Sequence, residues 1–394
     1  MIGGLKKQAS RAGNDVAVLM QLGHQRTQGL LVSVPRRMYQ LQRLHVQEQS
    51  ARNSYSGISM TMFGGTSPLG STLGGMLTRM GTTAIYPYRN NATIWDTRFK
   101  ELKTTADLGY KTYMRLTDFT SEKECGYTLK DSNTVISCIG SHVYAKRDKD
   151  FDDANIRIPM AIAKAVKANK GKVKRFIYVS AAGADPNSHS RRLRTKWLGE
   201  QEVKDICPEV TVLRPTYMFN LLNSNVTLAG KWGMQMKMFN RMNWLCDGMN
   251  GRIQPVFVND VALAVLNCLK MEQTIGQTYD LGGPHVYTYE EMYEQFFNQC
   301  GIKPYTAVVK LEDAYEYYHY KWWQSFYRQL FRTWLTPEFM TAEAQDLVVN
   351  PANKGFADLY IKPVSFGQKV TEYVNDIYWL YNTQETTKLQ GAAN

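Results

Sequence analysis

The sequence predicts an α/β protein built on a doubly wound parallel sheet, with a smaller, mostly helical C-terminal domain and an N-terminal extension. Three observations carry that expectation. The apolar run Ile58, Met60, Met62 and Phe63 leads through a glycine turn at 64–70 into a segment where Leu69, Leu73, Met76, Leu77 and Met80 recur at helical spacing. Further apolar runs then alternate with helical patterns, about one pair every thirty residues, as far as Pro215, which is the signature of parallel strands joined by crossover helices. The composition, 44% hydrophobic and 21% charged over 394 residues, is that of a folded chain able to bury a sizeable core.

Residues 1–56 differ in kind. Lys6, Lys7, Arg11, Arg26, Arg36, Arg37 and Arg43 face only Asp15 and Glu48 as acids, with Ser, Gln and short apolar patches between them. That is the composition of a mitochondrial targeting segment able to form a basic amphipathic helix, and equally of a basic arm that lies along a partner.

At 57 the period changes. In the strand–turn–helix unit, Gly64 and Gly70 bracket a turn that lets backbone approach a pyrophosphate, and the helix N-terminus favours an anion. Pro68 suits the first helical turn because it has no N–H to leave unpaired, and Gly81 suits the C-terminal cap. Ser67 stands where a middle glycine would complete G-x-x-G-x-x-G, so the turn alone also fits an ordinary strand-to-helix connection. A second strand over 83–89 ends in Arg89, where NAD-specific sites carry an acid for the ribose hydroxyls. A guanidinium there suits a 2′-phosphate and hence NADP(H); a solvated strand-end arginine is the alternative. Strand three covers 111–116 and leads to Asp118; strand four covers 133–139 and ends at Gly140. A helix over 158–166, a strand over 173–180 ending at Ser180, and a strand over 209–215 ending at Pro215 continue the alternation.

Beyond Pro215 the pattern breaks up, and 216–250 is rich in Met, Asn and aromatics. Residues 252–261 lead into a helix through Leu269, a short strand covers 277–281, and a helix covers 289–300. From Tyr315 to Trp334 aromatic residues recur at three and four, with Lys321, Arg328 and Arg332 on the other face. Such an amphipathic helix packs on its own domain or contacts a partner or bilayer interface. A last helix spans 366–381 and a polar tail 384–394. The organisation expected is therefore an extension at 1–56, a nucleotide-binding domain at 57–270 and an α-rich domain at 271–394, with 216–250 contributing to the latter.

The net charge is +12, with Lys and Arg spread along the chain rather than blocked. This suits an anionic membrane surface or acidic partner proteins better than a nucleic-acid groove, and no nucleic-acid partner is expected. No run approaches the roughly 18 apolar residues that span a bilayer. The six cysteines are scattered without a CxxC and the six histidines are dispersed, so no metal site is signalled and reduced thiols are expected.

These motifs together resemble an atypical, extended short-chain dehydrogenase/reductase: the glycine turn, Asp118, Cys138-Ile139-Gly140, Val179-Ser180, Leu213-Arg214-Pro215 and the Gln254 to Val261 segment. More narrowly, Thr61-Met62-Phe63-Gly64, Pro87-Tyr88-Arg89, Ala106-Asp107-Leu108-Gly109, Ser132 to Ile136, and Ser190 to Lys196 with Gly199-Glu200 are similar to the NADPH-binding accessory subunits of mitochondrial respiratory complex I. The likeness covers roughly 57–285 well and the remainder loosely. It implies NADPH as cofactor, held by Gly64, Thr66, Ser67, Pro68, Leu69 and Gly70 at the turn and by Arg89 and Asp118 beyond it. Ile139, Gly140, Ser180, Lys196, Pro215 and Met218 complete the implied site. It also implies other complex I subunits of the matrix arm and quinone-binding module as partners, and the matrix side of the mitochondrial inner membrane as location.

The chemistry of the wider family needs a Tyr-x-x-x-Lys pair on one helix, the lysine lowering the tyrosine pKa and the tyrosine exchanging the substrate proton. Lys196 is present here, but Arg192 stands at the tyrosine position, and a guanidinium stays protonated near neutral pH. Ala181, Ala182, Gly183 and Ala184 follow Ser180, so the upstream serine is missing too. The expectation is a subunit that holds its nucleotide without turning it over. An active NADPH-dependent reductase or epimerase, and a free-standing NADPH sensor, are the alternatives.

Overall fold

The computed structural model describes residues 56–89, 102, 111–141, 148–220, 242–246, 251–299, 305–309 and 345–370. The basic extension up to Tyr55, the aromatic helix over 315–334, the segments around Arg98 and Ala106, and the chain after Val370 lie outside the described residues. Along the chain run β1 (Ser59–Phe63), α1 (Pro68–Arg79), β2 (Thr83–Arg89), β3 (Lys111–Leu116), α2 (Glu122–Thr128) and β4 (Thr134–Ser137). Helix α3 (Asp148–Asp152) continues through a π turn (Asp153–Arg157) into α4 (Ile158–Ala168), followed by β5 (Arg175–Val179), α5 (Arg191–Ile206) and β6 (Thr211–Pro215). Then come β7 (Met218–Phe219), β8 (Met242–Cys246), β9 (Arg252–Ile253), β10 (Val256–Phe257), α6 (Val258–Lys270), β11 (Thr278–Leu281), β12 (Tyr287–Thr288), α7 (Tyr289–Gln299) and β13 (Tyr305–Val309).

Seven strands form one sheet in the order β11-β6-β5-β4-β1-β2-β3, every pair parallel. The chain builds outward from β1 to β3, then crosses back to β4 on the other side of β1. That reversal opens a crevice between the C-terminal ends of β1 and β4, where doubly wound sheets bind ligands. The seventh strand, β11, belongs to this sheet although it follows residue 270, so the sheet reaches past the boundary expected from sequence.

Strand alternation divides the core. Met60, Met62, Ile136, Ile177 and Leu213 pack on one face with Leu73 and Leu77 of α1 and Val261 and Val265 of α6. Phe63, Val135, Phe176, Tyr178 and Val212 pack on the other with Cys125 of α2, Ile162 of α4 and Val203 of α5. Both faces are covered, as an all-parallel sheet requires.

Residues 345–370 return over this domain. Leu347 forms a parallel bridge with Ile253, Asn267 Nδ2 donates to the Leu359 carbonyl at 2.8 Å, and Val364 N–H donates to Asp260 Oδ2 at 2.8 Å. Among the described residues no helix is long and apolar enough to cross a membrane.

Candidate functional site

The turn after β1 is fixed by sterics. Gly64 has φ +84°, and a Cβ on it would stand 2.9 Å from the Cys138 carbonyl carbon and oxygen and 3.1 Å from Ile139 N. A Cβ on Gly70 would overlap the Gly64 carbonyl oxygen. The two glycines therefore let β1, the start of α1 and the end of β4 close on one another. Ser67 is the N-cap of α1: its hydroxyl accepts from Gly70 N–H at 3.0 Å, and its own N–H donates to Gly64 O at 2.9 Å. Serine is a good N-cap for this reason. Its place in the motif is thus a cap, and the hydroxyl that accepts from Gly70 retains its own O–H as a donor. Pro68 opens the helix, Leu69 is buried in the core beneath it, and Thr66 is half-buried in the turn.

Arg89 ends β2 on the surface, its guanidinium 6.0 Å from the centre of the Phe119 ring. Asp118, past β3, accepts from Thr120 N–H at 2.8 Å and Thr120 Oγ1 at 2.7 Å, and these bonds hold its carboxyl below the usual range.

Lys196 is buried at the crevice and held by two strand ends. It is 6% exposed, and its Nζ donates to Ile139 O at 3.0 Å and Val179 O at 3.2 Å, bridging the ends of β4 and β5. A Cβ on Gly140 would stand 2.9 Å from that Nζ, so glycine there makes room for the ammonium. Burial first, and then the Arg192 charge one helical turn away, push Lys196 down to about 8. Ser180, just past β5, is buried with no partner for its Oγ among the described residues. Pro215 closes β6 and accepts from Ala182 N–H at 3.0 Å; Met218 lies half-buried in β7, paired with Val256.

The structure thus gathers the 64–70 turn, Ile139, Gly140, Ser180 and Lys196 at the C-terminal edge of neighbouring strands, with Arg89 and Asp118 at the ends of the outer strands and Pro215 at the far side. Asn155 was not singled out by sequence. It sits fully buried in the π turn, donates to Ser141 Oγ and Thr195 Oγ1 at 2.8 Å each, and accepts from Ser141 N–H at 2.9 Å. It ties the loop after β4 to the helix that carries Lys196. The close packing of Gly199 on the Asn155 carbonyl is the one sequence hint of this crossing.

A glycine-capped turn on a helix N-terminus, a lysine bridging the next strand ends and an orphaned buried hydroxyl beside it fit a dinucleotide. Together with the strand order they define a Rossmann-type, doubly wound fold. Solved structures bear out that fold. UDP-glucose 4-epimerase from Thermotoga maritima matches with TM-score 0.60 and 15% identity over 82% of this chain and 100% of that one. UDP-glucuronic acid 4-epimerase from Bacillus cereus matches with TM-score 0.59 and 12% identity over the same shares. No protein-family model matches.

The narrower resemblance also holds. The chain's curated homologues include NADH dehydrogenase (ubiquinone) 1 alpha subcomplex subunit 9, mitochondrial, of Arabidopsis thaliana, 34% identical over 66% of this chain and 62% of that protein. The mouse protein of the same name is 33% identical over 61% of this chain and 60% of its own length. The NADH-ubiquinone oxidoreductase 40 kDa subunit, mitochondrial, of Neurospora crassa is 29% identical over 84% of this chain and 82% of that protein. The chain spans about three fifths of the Arabidopsis and mouse relatives.

Proposed function

We propose that this chain is a non-catalytic accessory subunit of mitochondrial NADH:ubiquinone oxidoreductase, complex I, that holds NADPH as a structural ligand. The observation that carries the reading is α5, where Lys196 is anchored on two strand-end carbonyls while Arg192 occupies the tyrosine position of the dehydrogenase pair. Lys196 and Ser180 would bind the ribose beside the nicotinamide, and the turn from Gly64 to Gly70 would take the pyrophosphate on the α1 N-terminus. Arg192 stays cationic and offers no proton relay, so bound NADPH serves affinity and folding. The names of the homologues support the assembly and the mitochondrial setting. We place the chain on the matrix side of the inner membrane, on the matrix arm near the quinone-binding module. Residues 1–56 and the region after 270 would supply surface for neighbouring subunits. On a non-denaturing gel of solubilised inner membrane the chain is expected to migrate with complex I. A chain found only as free protein would contradict the reading.

Cofactor choice follows from Arg89. A guanidinium pairs with a 2′-phosphate through charge-assisted bonds, so NADPH is preferred over NADH. Arg89→Asp is expected to lose on the order of 2 kcal/mol of NADPH affinity, the scale of a hydrogen bond to a charged group, and to leave NADH binding nearly unchanged. Fluorescence titration with both nucleotides checks this; equal affinity of the wild type for the two contradicts it.

A further inference from the structure

Past the end of β4, on the side away from β1, stand the C-terminal ends of β5, β6 and β11. In this chain a segment from the distant C-terminal region crosses that ground. Gln345 Oε1 lies 2.6 Å from Ser188 Oγ, in the loop that leads into α5. Asp346 accepts from Arg252 N–H at 2.7 Å and Nη2 at 2.8 Å. Leu347 N–H donates to Arg252 O at 2.7 Å, and Leu347 is only 7% exposed. Its Cδ2 would stand 2.6 Å from a Cβ on Gly183, the third residue after Ser180. The same Gly183 position is 3.4 Å from Leu193 Cδ1, and Leu193 lies one helical turn before Lys196 on the same helix. Val349 N–H donates to Gln254 Oε1 at 3.1 Å, and Val349 packs against Gly282 at the end of β11. Residues 345–349 therefore run along the C-terminal edge of the sheet, from the loop after β5 to the end of β11.

We propose that residues 345–349 are a built-in occupant of the substrate half of the cleft, with Leu347 as its plug. The plug excludes a second small molecule and slows the departure of the nucleotide. Two physical features support it. The contact side chain is apolar and buried against a glycine, a position where any larger residue would push it away. The strap is held from both sides by backbone and side-chain bonds to β9 and Gln254, so its ordering does not depend on the nucleotide. A cleft occupied in this way suits a chain that keeps its dinucleotide as a structural part.

The inference rests on the reading that the cleft holds NADPH, and the test separates the two. The full chain is loaded with NADPH, and release is followed by fluorescence after dilution into excess unlabelled NADP+, with affinity measured separately by titration. Leu347→Ala removes the plug. Gln345→Ala combined with Asp346→Ala removes two anchors, one half-buried and one exposed, without changing Leu347 itself, so it carries the test if Leu347→Ala folds poorly. Both are expected to speed release about tenfold or more, the equivalent of one decade in dissociation constant. Release within twofold of wild type in a variant of unchanged melting temperature overturns the strap while leaving NADPH binding standing. A wild type that binds no NADPH overturns both.

Discussion

Gly64→Val is expected to give a chain that melts well below the wild type and binds no measurable NADPH. Two costs add at this residue. The backbone has φ +84°, a region that a β-branched residue avoids at a cost of about 1–3 kcal/mol. The new Cβ would also stand 2.9 Å from backbone atoms of Cys138, which cannot swing away as a flexible side chain would. Overpacking of that kind costs about 1–3 kcal/mol more, so the sum is about 2–6 kcal/mol against a typical domain stability of about 5–15 kcal/mol. The displaced turn would carry the α1 N-terminus with it, which removes the proposed pyrophosphate site. Gly171→Val is the matched control, because a Cβ there meets nothing within 4 Å and the effect should stay within about 0.5 kcal/mol. Thermal melting and NADPH titration of both variants check the pair; a Gly64→Val chain with wild-type stability would contradict the account of the turn.

Glu200→Leu is expected to be as severe for stability, through charge rather than sterics. The Glu200 side chain is wholly buried on α5 and bonded to Arg214 Nη2 at 2.6 Å, Arg214 Nε at 2.9 Å and Lys204 Nζ at 2.7 Å. Arg214 reaches on to Asp280 of β11 at 3.8 Å. The network thereby joins the helix that carries Lys196 to the last two strands of the sheet. Removing the carboxylate leaves the Arg214 cation, itself 22% exposed, without its main partner, and breaking such a pair from one side costs about 3–5 kcal/mol. Burial pushes the Glu200 carboxyl up, but its bonds to Arg214 and then to Lys204 hold it below the ordinary value. The sign follows: the contribution is full above the unfolded pKa of about 4.3 and is lost as pH falls through the lower folded value. Urea denaturation should show the wild type losing stability below about pH 4 more steeply than Glu200→Leu. Parallel acid slopes, or a loss under about 1 kcal/mol at neutral pH, would contradict this.

What the sequence discloses here is local, and what it hides is long-range. The turn is legible because only glycine satisfies both the left-handed backbone at Gly64 and the close approach at Gly70. The α5 pair is legible because a spacing of four places Arg192 and Lys196 on one helix face. The buried strands show as apolar runs, although their observed ends at Arg175 and Thr211 fall inside the stretches expected. Ser67 was readable as a cap before a proline-led helix, yet the glycine pattern suggested a substituted phosphate contact instead. Asn155 was not readable, because a π turn leaves no period of its own in the sequence. Arg214, the partner of Glu200 on β6, and Ile253, the bridge partner of Leu347, lie 14 and more residues away on other elements, and no local pattern points to them. The short strands β8, β12 and β13 were missed for a related reason: among the described residues β8 and β13 pair with each other across a long stretch of chain, and β12 offers two residues to β9.

The central claim is that the nucleotide is held and never turned over. Its most direct test is gel filtration of the purified full chain after incubation with NADPH and a panel of aldehydes, ketones and quinones. The reduced-nicotinamide absorbance that elutes with the protein is the quantity measured. The account predicts one equivalent of NADPH co-eluting with the chain, still fully reduced, whatever carbonyl was present. Loss of that absorbance with any member of the panel, or protein eluting without nucleotide, would contradict it.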